Sequence, residues 1–191
     1  MGEVTRPEAA PGEIAVHLVP LRRRHLRSVM RIENQVYPRP WSITLFMSEL
    51  NLRTSRYYVA ARVDGLVVGY AGLMYSLDEG HVTTIAVDPA WHRHKIGTRL
   101  LANLARASRL YGAQHLTLEV RVSNLGAQAM YHRFGFETEG LRKNYYAETN
   151  EDALIMWAHD IDTDEYEARL AAIEAGIGGT TIDETKPAAR G

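Results

Sequence analysis

The 191-residue chain has no cysteine, which excludes disulfide staples and thiolate metal sites. No apolar run approaches the ~20 residues that span a bilayer, and the opening stretch MGEVTRPEAAPGE lacks the charged-then-apolar order of a secretion signal. No segment repeats at a fixed period. Net charge is also scarce, at -1 near neutral pH, so the chain as a whole does not attract a polyanion, and a nucleic-acid footprint would have to be a local patch. These absences predict a cytoplasmic protein with no membrane association and no direct nucleic-acid partner.

What is present suits one globular domain with a sizeable core, since hydrophobic residues make up 46% and charged residues 24%. The charge is unevenly spread. Residues 22–62 hold nine Arg against Glu33 and Glu49, whereas residues 147–191 hold eleven Asp or Glu against three Lys or Arg. Two solvated faces that partly neutralise each other account for this, and so does a basic segment that steers a charged partner.

Along the chain, residues 1–13 are polar and carry Pro7, Pro11 and Gly12, the composition of a disordered segment. Leu26, Val29, Ile32 and Val36 then recur at helical spacing opposite Arg22, Arg23, Arg24, Arg27 and Arg31. Pro38 and Pro40 in YPRPWS forbid that helix to continue, and Ser42 is placed to cap a second helix over 43–51. YYVAARV, VVGYAGLMYSL and HVTTIAV read as successive strands, with a hairpin at Asp64-Gly65. After Pro89, the stripe Ile96, Leu100, Leu104, Ala107 and Tyr111 predicts a helix that Gly112 stops. HLTLEVRV alternates as a strand, Ser123 or Asn124 can cap a short helix to Phe134, and FETEGLRKNYY and ALIMWAHDI supply two more strands. The order predicts a three-layer α/β (α+β) domain over residues 14–160, with a central mixed, largely antiparallel sheet flanked by helices. Residues 161–191 read as an acidic tail with one helix at 166–175 and no structure from 176 onward.

The run His92, Arg93, His94, Lys95 sits between the strand ending at Val87 and the helix starting near Ile96. Unpaired backbone N–H groups at the positive end of a helix dipole make an anion site there, and cationic side chains add charge-assisted contacts. Phosphate fits this better than a metal, because His92 and His94 have no further ligands at recognisable spacing. It also fits better than duplex recognition, because Leu100 and Leu104 show a helix that buries one face.

VDPAWHRHKIGTRLL resembles the acetyl-CoA motif of the GNAT acetyltransferases, whose usual form is Gln or Arg, any two residues, Gly, any residue, then Gly or Ala. LEVRVSN followed by AQAMYHRFGF and RKNYY, with YPRPWS upstream, is similar to the RimI group of ribosomal-protein N-terminal alanine acetyltransferases. The likeness covers roughly residues 14–160. It implies the GNAT fold, acetyl-CoA as co-substrate, no metal, and transfer of acetyl to the N-terminal alanine of a small-subunit ribosomal protein through a direct ternary complex. It further implies that Ile85, Ala86 and Val87 seat the coenzyme by backbone, that Arg93, His94, Lys95, Ile96, Gly97 and Thr98 hold its pyrophosphate, and that Asn124 touches the pantetheine arm. Glu119 is implied as general base and Tyr131 as general acid.

Two positions depart from the motif: His92 replaces Gln or Arg, and Lys95 replaces the first Gly. A left-handed Lys costs on the order of 1 kcal/mol relative to Gly, which attraction of its ammonium to phosphate can offset. On the residues alone, Glu119 reads as a solvent-facing carboxylate, Tyr131 as core packing with Ala127 and Phe134, and Asn124 as a helix cap. Tyr145 and Tyr146 read as strand aromatics, or with Tyr37 and Trp41 as walls of a peptide groove. Broader N-terminal, lysine or small-amine acetylation, or a coenzyme-binding module without turnover, are the alternative functions.

Overall fold

The computed structural model describes residues 14–185; the expected disorder of residues 1–13 and 186–191 falls outside the described residues. Eight strands form one sheet: β1 (Ala15–Pro20), β2 (Arg56–Val63), β3 (Leu66–Ser76), β4 (Glu79–Val87), β5 (His115–Arg121), β6 (Glu137–Tyr146), β7 (Glu151–Ala158) and β8 (Thr180–Asp183), in the order β6-β7-β5-β4-β3-β2-β1-β8. Only the β1–β8 and β4–β5 pairs are parallel. Helices α1 (Leu26–Val36) and α2 (Ile43–Asn51) cover one face, with Leu26, Val29, Ile32 and Phe46 buried against Val19, Tyr58, Tyr70 and Ala86. Helices α3 (Ile96–Leu110), α4 (Leu125–Arg133) and α5 (Asp164–Ala175) cover the other, through Ile96, Leu100, Leu104, Tyr131, Tyr166 and Leu170. The three-layer mixed sheet is the architecture the sequence implied.

Local chemistry sets the boundaries. Tyr37 precedes Pro38 and is extended (φ -111°, ψ 132°), which ends α1. Ser42 Oγ accepts the Leu45 N–H at 3.1 Å and starts α2. Asp64 and Gly65 both have positive φ (49° and 80°), the two-residue turn whose twist matches a hairpin. Gly112, at φ 83°, stops α3.

The feature that shapes the molecule lies at mid-sheet. β4 and β5 pair over only Glu79–His81 and His115–Thr117. Beyond that, Gly72 faces Thr84 while Leu73 faces Val82, so Thr83 is an extra residue in β4, a bulge that turns the strand away from β5. The two strands part, and a cleft opens between them.

Two expectations need correction. The strand β1 was absent from the sequence reading, and residues 161–185 are part of the domain. In α5, which begins at Asp164 rather than Tyr166, Tyr166 and Leu170 are buried, and β8 pairs in parallel with β1 from Ala15↔Thr180 to Leu18↔Asp183. The segment packs on the outer side of α3. Arg99 Nη1 donates to Thr181 Oγ1 at 2.7 Å and Nη2 to Gly178 O at 2.5 Å, while Asn103 Nδ2 donates to Asp183 Oδ2 at 2.8 Å. Arg106 grips Glu174 through Nε and Nη2 at 2.7 and 2.6 Å. A helix whose sequence shows one apolar stripe is thus buried on both sides, with Arg99 only 2% exposed. No helix among the described residues is long and apolar enough to cross a membrane.

Leu170 is fully buried, so Leu170→Ala is expected to cost about 2–5 kcal/mol in a denaturant titration. A loss below ~0.5 kcal/mol, the size of a surface substitution, would mean that α5 is not docked.

Candidate active site

The cleft between β4 and β5 has a volume of about 550 Å³. His81, Thr83, Thr84 and Ile85 line it from β4, and Leu118, Glu119, Val120 and Arg121 from β5. Tyr131 reaches it from α4, Tyr37 and Trp41 from the linker after α1, and Tyr145 and Tyr146 from the end of β6. All four aromatics named from the sequence as groove walls stand in this lining.

Glu119 follows from strand alternation. Its neighbours Leu118 and Val120 are buried at 1% and 4% exposure, which turns the Glu119 side chain to the opposite face of β5. There it is 12% exposed, hydrogen-bonded through Oε2 to His81 Nε2 at 2.7 Å and ion-paired through Oε1 with Arg142 Nη2 at 3.4 Å. The His81 hydrogen bond is the main reason its carboxyl lies below the usual range; burial opposes this, and the charges of His81 and Arg142 reinforce it. The carboxyl is therefore ionised at neutral pH, and His81 Nε2 is the donor of the shared hydrogen bond.

Tyr131 is core and cleft at once. Its ring lies 5.8 Å from that of Phe136 within the larger core cluster, and it is 5% exposed. Burial, with Tyr37 and Tyr146 nearby, raises its pKa, so the phenol keeps its proton. Its hydroxyl makes no hydrogen bond among the described residues. Asn124 likewise has two aspects: Oδ1 caps α4 by accepting the Ala127 N–H at 3.1 Å, and the residue lines the cleft.

The walls are braced. Tyr37 donates its hydroxyl to Ile85 O at 2.9 Å, clamping the α1–α2 linker onto β4. Buried Glu33 accepts from the Tyr70 hydroxyl and, at 2.8 Å, from the Trp41 N–H, with burial raising its pKa. Arg121 binds Glu148 and Glu151 at 2.6 and 2.9 Å and stacks 3.8 Å over the Tyr146 ring. That tyrosine is pushed up to about 12, chiefly by burial.

The residues implied to seat acetyl-CoA divide in two groups. Ile85 lines the cleft, Ala86 is buried toward α1, and Val87 is half-buried. The turn Arg93–Thr98 is not in the cleft lining. It sits at the head of α3, and a Cβ on Gly97 would lie 3.6 Å from Met130 Sδ and 3.8 Å from Val87 Cγ2, joining the turn to α4 and the end of β4. Arg93 and Lys95 are both left-handed (φ 69° and 58°), the conformation expected for Lys95. The first helical bond of α3 runs from Arg99 N–H to Lys95 O at 3.0 Å, so the N–H groups ahead of it need another partner.

Two features therefore fit an extended phosphate-bearing ligand. Beyond His81, the edge of β4 that faces β5 has no ladder; Tyr37 and His92 side chains meet the carbonyls of Ile85 and Val87, and the remaining backbone groups along it demand partners. At its far end stand the free N–H groups of α3 with Arg93 and Lys95 beside them. Sequence reasoning gave no role to His81, Glu33 or Arg142. His81 had a usable signal, since it shares the HVTTIAV strand with the implied coenzyme residues, but its partner Glu119 is 38 positions away. Among the described residues no cluster of three or more His, Asp or Glu is arranged to hold a metal.

The chain is similar to known proteins over most of its length. The model of the acetyltransferase (GNAT) family matches residues 26–136. The chain is 36% identical over 137 residues to a putative [ribosomal protein bS18]-alanine N-acetyltransferase of Bacillus subtilis, covering 72% of this chain and 91% of that protein. It is 35% identical over 133 residues to the [ribosomal protein bS18]-alanine N-acetyltransferase of Escherichia coli K12, covering 69% and 88%. The crystal structure of the ribosomal-protein-S18-alanine N-acetyltransferase from Escherichia coli superposes with a TM-score of 0.70 at 32% identity, covering 76% of this chain and 94% of that one.

A carboxyl with a depressed folded pKa contributes stability that is present above its unfolded value of ~4.3 and is lost as pH falls through the folded one. The stability gap between wild type and Glu119→Gln, followed by urea midpoint, is expected at neutral pH and shrinks below about pH 4. A gap that fails to shrink below about pH 4 would contradict the depressed carboxyl of Glu119.

Proposed function

The chain belongs to the GNAT acetyltransferase family, and on that premise we propose that it transfers acetyl from acetyl-CoA to the α-amine of a protein N-terminus, with the N-terminal alanine of a small-subunit ribosomal protein as acceptor. The acceptor assignment is supported by the names of the bacterial relatives. Residues without metal carry the reaction, in the cytoplasm, where ribosomal proteins are made. The observation that carries the reading is the shared cleft of Glu119 and Tyr131, opened beside an unladdered strand edge.

Acetyl-CoA supplies, when bound, an acetyl group activated as a thioester. The β4 edge at Ile85–Val87 supplies backbone groups to the pantetheine arm, the free amide of Asn124 adds a side-chain contact, and the turn Arg93, His94, Lys95, Ile96, Gly97 and Thr98 receives the pyrophosphate. The acceptor enters between the aromatic walls. An α-ammonium has a pKa near ~8, far above that of ionised Glu119, so the carboxylate first orients the amine. It takes the proton as the nitrogen bonds to the acyl carbon and becomes acidic. His81, donating to Oε2, keeps that oxygen occupied and leaves Oε1 toward Arg142 for the amine. Tyr131, kept protonated by burial, donates its phenolic proton to the departing sulfur. Holding amine and thioester in one narrow cleft supplies the remaining acceleration.

Incubation with acetyl-CoA and peptides of different first residues, followed by fragmentation mass spectrometry, is expected to find the acetyl on the α-amine and most readily on alanine. Label on lysine alone, or no label despite coenzyme binding, rejects the reading. Tyr131→Phe is expected to lower kcat by about 10²–10⁴ while coenzyme affinity is kept. Glu119→Gln is expected to lose more activity at low pH than at high pH, where free amine is abundant; a pH-independent loss rejects the base role. Lys95→Gly is expected to leave folding stability within about 1 kcal/mol, relief of the left-handed strain being offset by the entropy of Gly. The same change weakens coenzyme A binding and flattens its salt dependence in isothermal titration; unchanged affinity and salt dependence would remove Lys95 from the phosphate seat.

A further inference from the structure

Once the ion pairs are assigned, one strongly basic surface is left over. Of the nine arginines in residues 22–62, two meet carboxylates: Arg31 bonds Asp88, and Arg56 bonds Glu49 at 2.6 Å. The acidic C-terminal segment does not neutralise the rest. Its Glu167 and Glu174 hold Arg106 and Arg109 on α3, and its Glu184 meets His17. Arg39 stands in the cleft wall. The other six, Arg22, Arg23, Arg24, Arg27, Arg53 and Arg62, have no carboxylate within 4.0 Å among the described residues.

These six share one region of the surface. Arg23 Nη2 donates to Asn51 Oδ1 at 3.1 Å, drawing the start of α1 onto the end of α2, two residues before Arg53. Beneath them, His25 is buried, and its pKa is lowered first by burial and then by the charges of Arg24, Arg62 and Arg22. The acid nearest in sequence, Asp64, is exposed at the turn after Arg62 and makes no ion pair. The apolar side chains between the arginines, Leu21, Leu26 and Val29, are buried at 6%, 2% and 0% exposure, so a protein partner finds little to bury there beyond Leu52 and Leu66 at the margins. Tyr145, the one aromatic among the large exposed apolar side chains of the described residues, belongs to the cleft wall, so stacking of single-stranded bases has no platform on this surface.

We propose that the surface formed by Arg22, Arg23, Arg24, Arg27, Arg53 and Arg62 binds the phosphate backbone of a helical nucleic acid, with structured RNA as its source. Guanidinium forks match phosphate oxygens in pairs and read charge rather than sequence. The phosphate chemistry stands independently of the acetyl acceptor; only the choice of RNA over DNA rests on the ribosomal acceptor proposed above. The proposal runs against the expectation of no direct nucleic-acid partner, which rests on a net charge that sums over two oppositely charged regions.

The test uses the full chain and a labelled RNA hairpin with a stem of about two helical turns, titrated by fluorescence anisotropy over a salt series. A log–log salt slope of roughly -3 to -5 is expected. The triple variant Arg22→Glu, Arg24→Glu, Arg27→Glu is expected to weaken binding at least tenfold at low salt and to flatten the slope by about 2–3. Arg133→Glu, on α4 and outside both the cleft and this surface, is expected to change neither. Unaltered peptide acetylation and thermal midpoint in the triple variant establish that it is folded; if acetylation is absent from the wild type as well, the RNA titration still decides the surface. No RNA binding at low salt, or equal losses in the triple and Arg133 variants, overturns the proposal. Polyglutamate bound as tightly as the hairpin assigns the surface to an acidic protein and also overturns it. A DNA hairpin of the same sequence bound more tightly overturns the assignment to RNA.

Discussion

Two neighbouring parallel strands that stay hydrogen-bonded for three residue pairs and then separate impose most of what the site can be. Continued pairing of β4 with β5 would close the sheet and leave Glu119 no cavity to face. The bulge at Thr83 twists β4 out of register with β3, so the parting is built into the strand rather than forced upon it. Separation exposes backbone groups that a closed sheet would satisfy, and that debt is what a strand-like ligand settles. The crossover from β4 to β5 runs through α3, whose head comes to rest beyond the open end of the gap. One topological fact thus sets both halves of the site proposed for a long ligand, the open edge of β4 and the turn at the head of α3.

Within that frame the charges are arranged with little slack. Glu119 is held by His81 and Arg142, and Glu33 by Tyr70 and Trp41. Arg121 is held by Glu148 and Glu151. The carboxylates that line the cleft are thereby oriented before any substrate arrives, which lowers the reorganisation needed at the moment of reaction. Tyr131 is the exception, a buried hydroxyl whose proton is not promised to a neighbour.

Legibility in the sequence followed distance along the chain. The α2 helix with its Ser42 cap, the α3 stripe with its Gly112 stop and the Asp64-Gly65 turn are decided by residues a few positions apart, and the structure has them where local chemistry puts them. The left-handed Lys95 was legible only through the family motif, in which it replaces a Gly. Glu119 and Tyr131 lie on adjacent elements, a strand and the helix after it, and were named together through the family resemblance, but the cleft they share needs the parting of β4 from β5, which no local pattern marks. The strands β1 and β8 were not legible: each is short, and each is stabilised by a partner far away in sequence, so no local period marks them. The His81–Glu119 pair was hidden likewise, since it depends on the β4–β5 register. The fate of the acidic tail could not be read from composition either, because charge counts do not say that Glu167 and Glu174 face α3 rather than the arginines of α1.

The last strand also governs how the sheet meets its surroundings. β8 spans four residues and occupies the side of β1 that would otherwise end the sheet, while β6 closes the opposite border with Arg142 and Lys143 exposed along it. A short terminal strand and a charged one are both poor templates for a second molecule to extend. A chain clipped just after α5 would present the bare border of β1, with its unmet carbonyl and amide groups, to any extended segment in solution. The C-terminal strand is in that sense a guard against self-association as much as a piece of the domain.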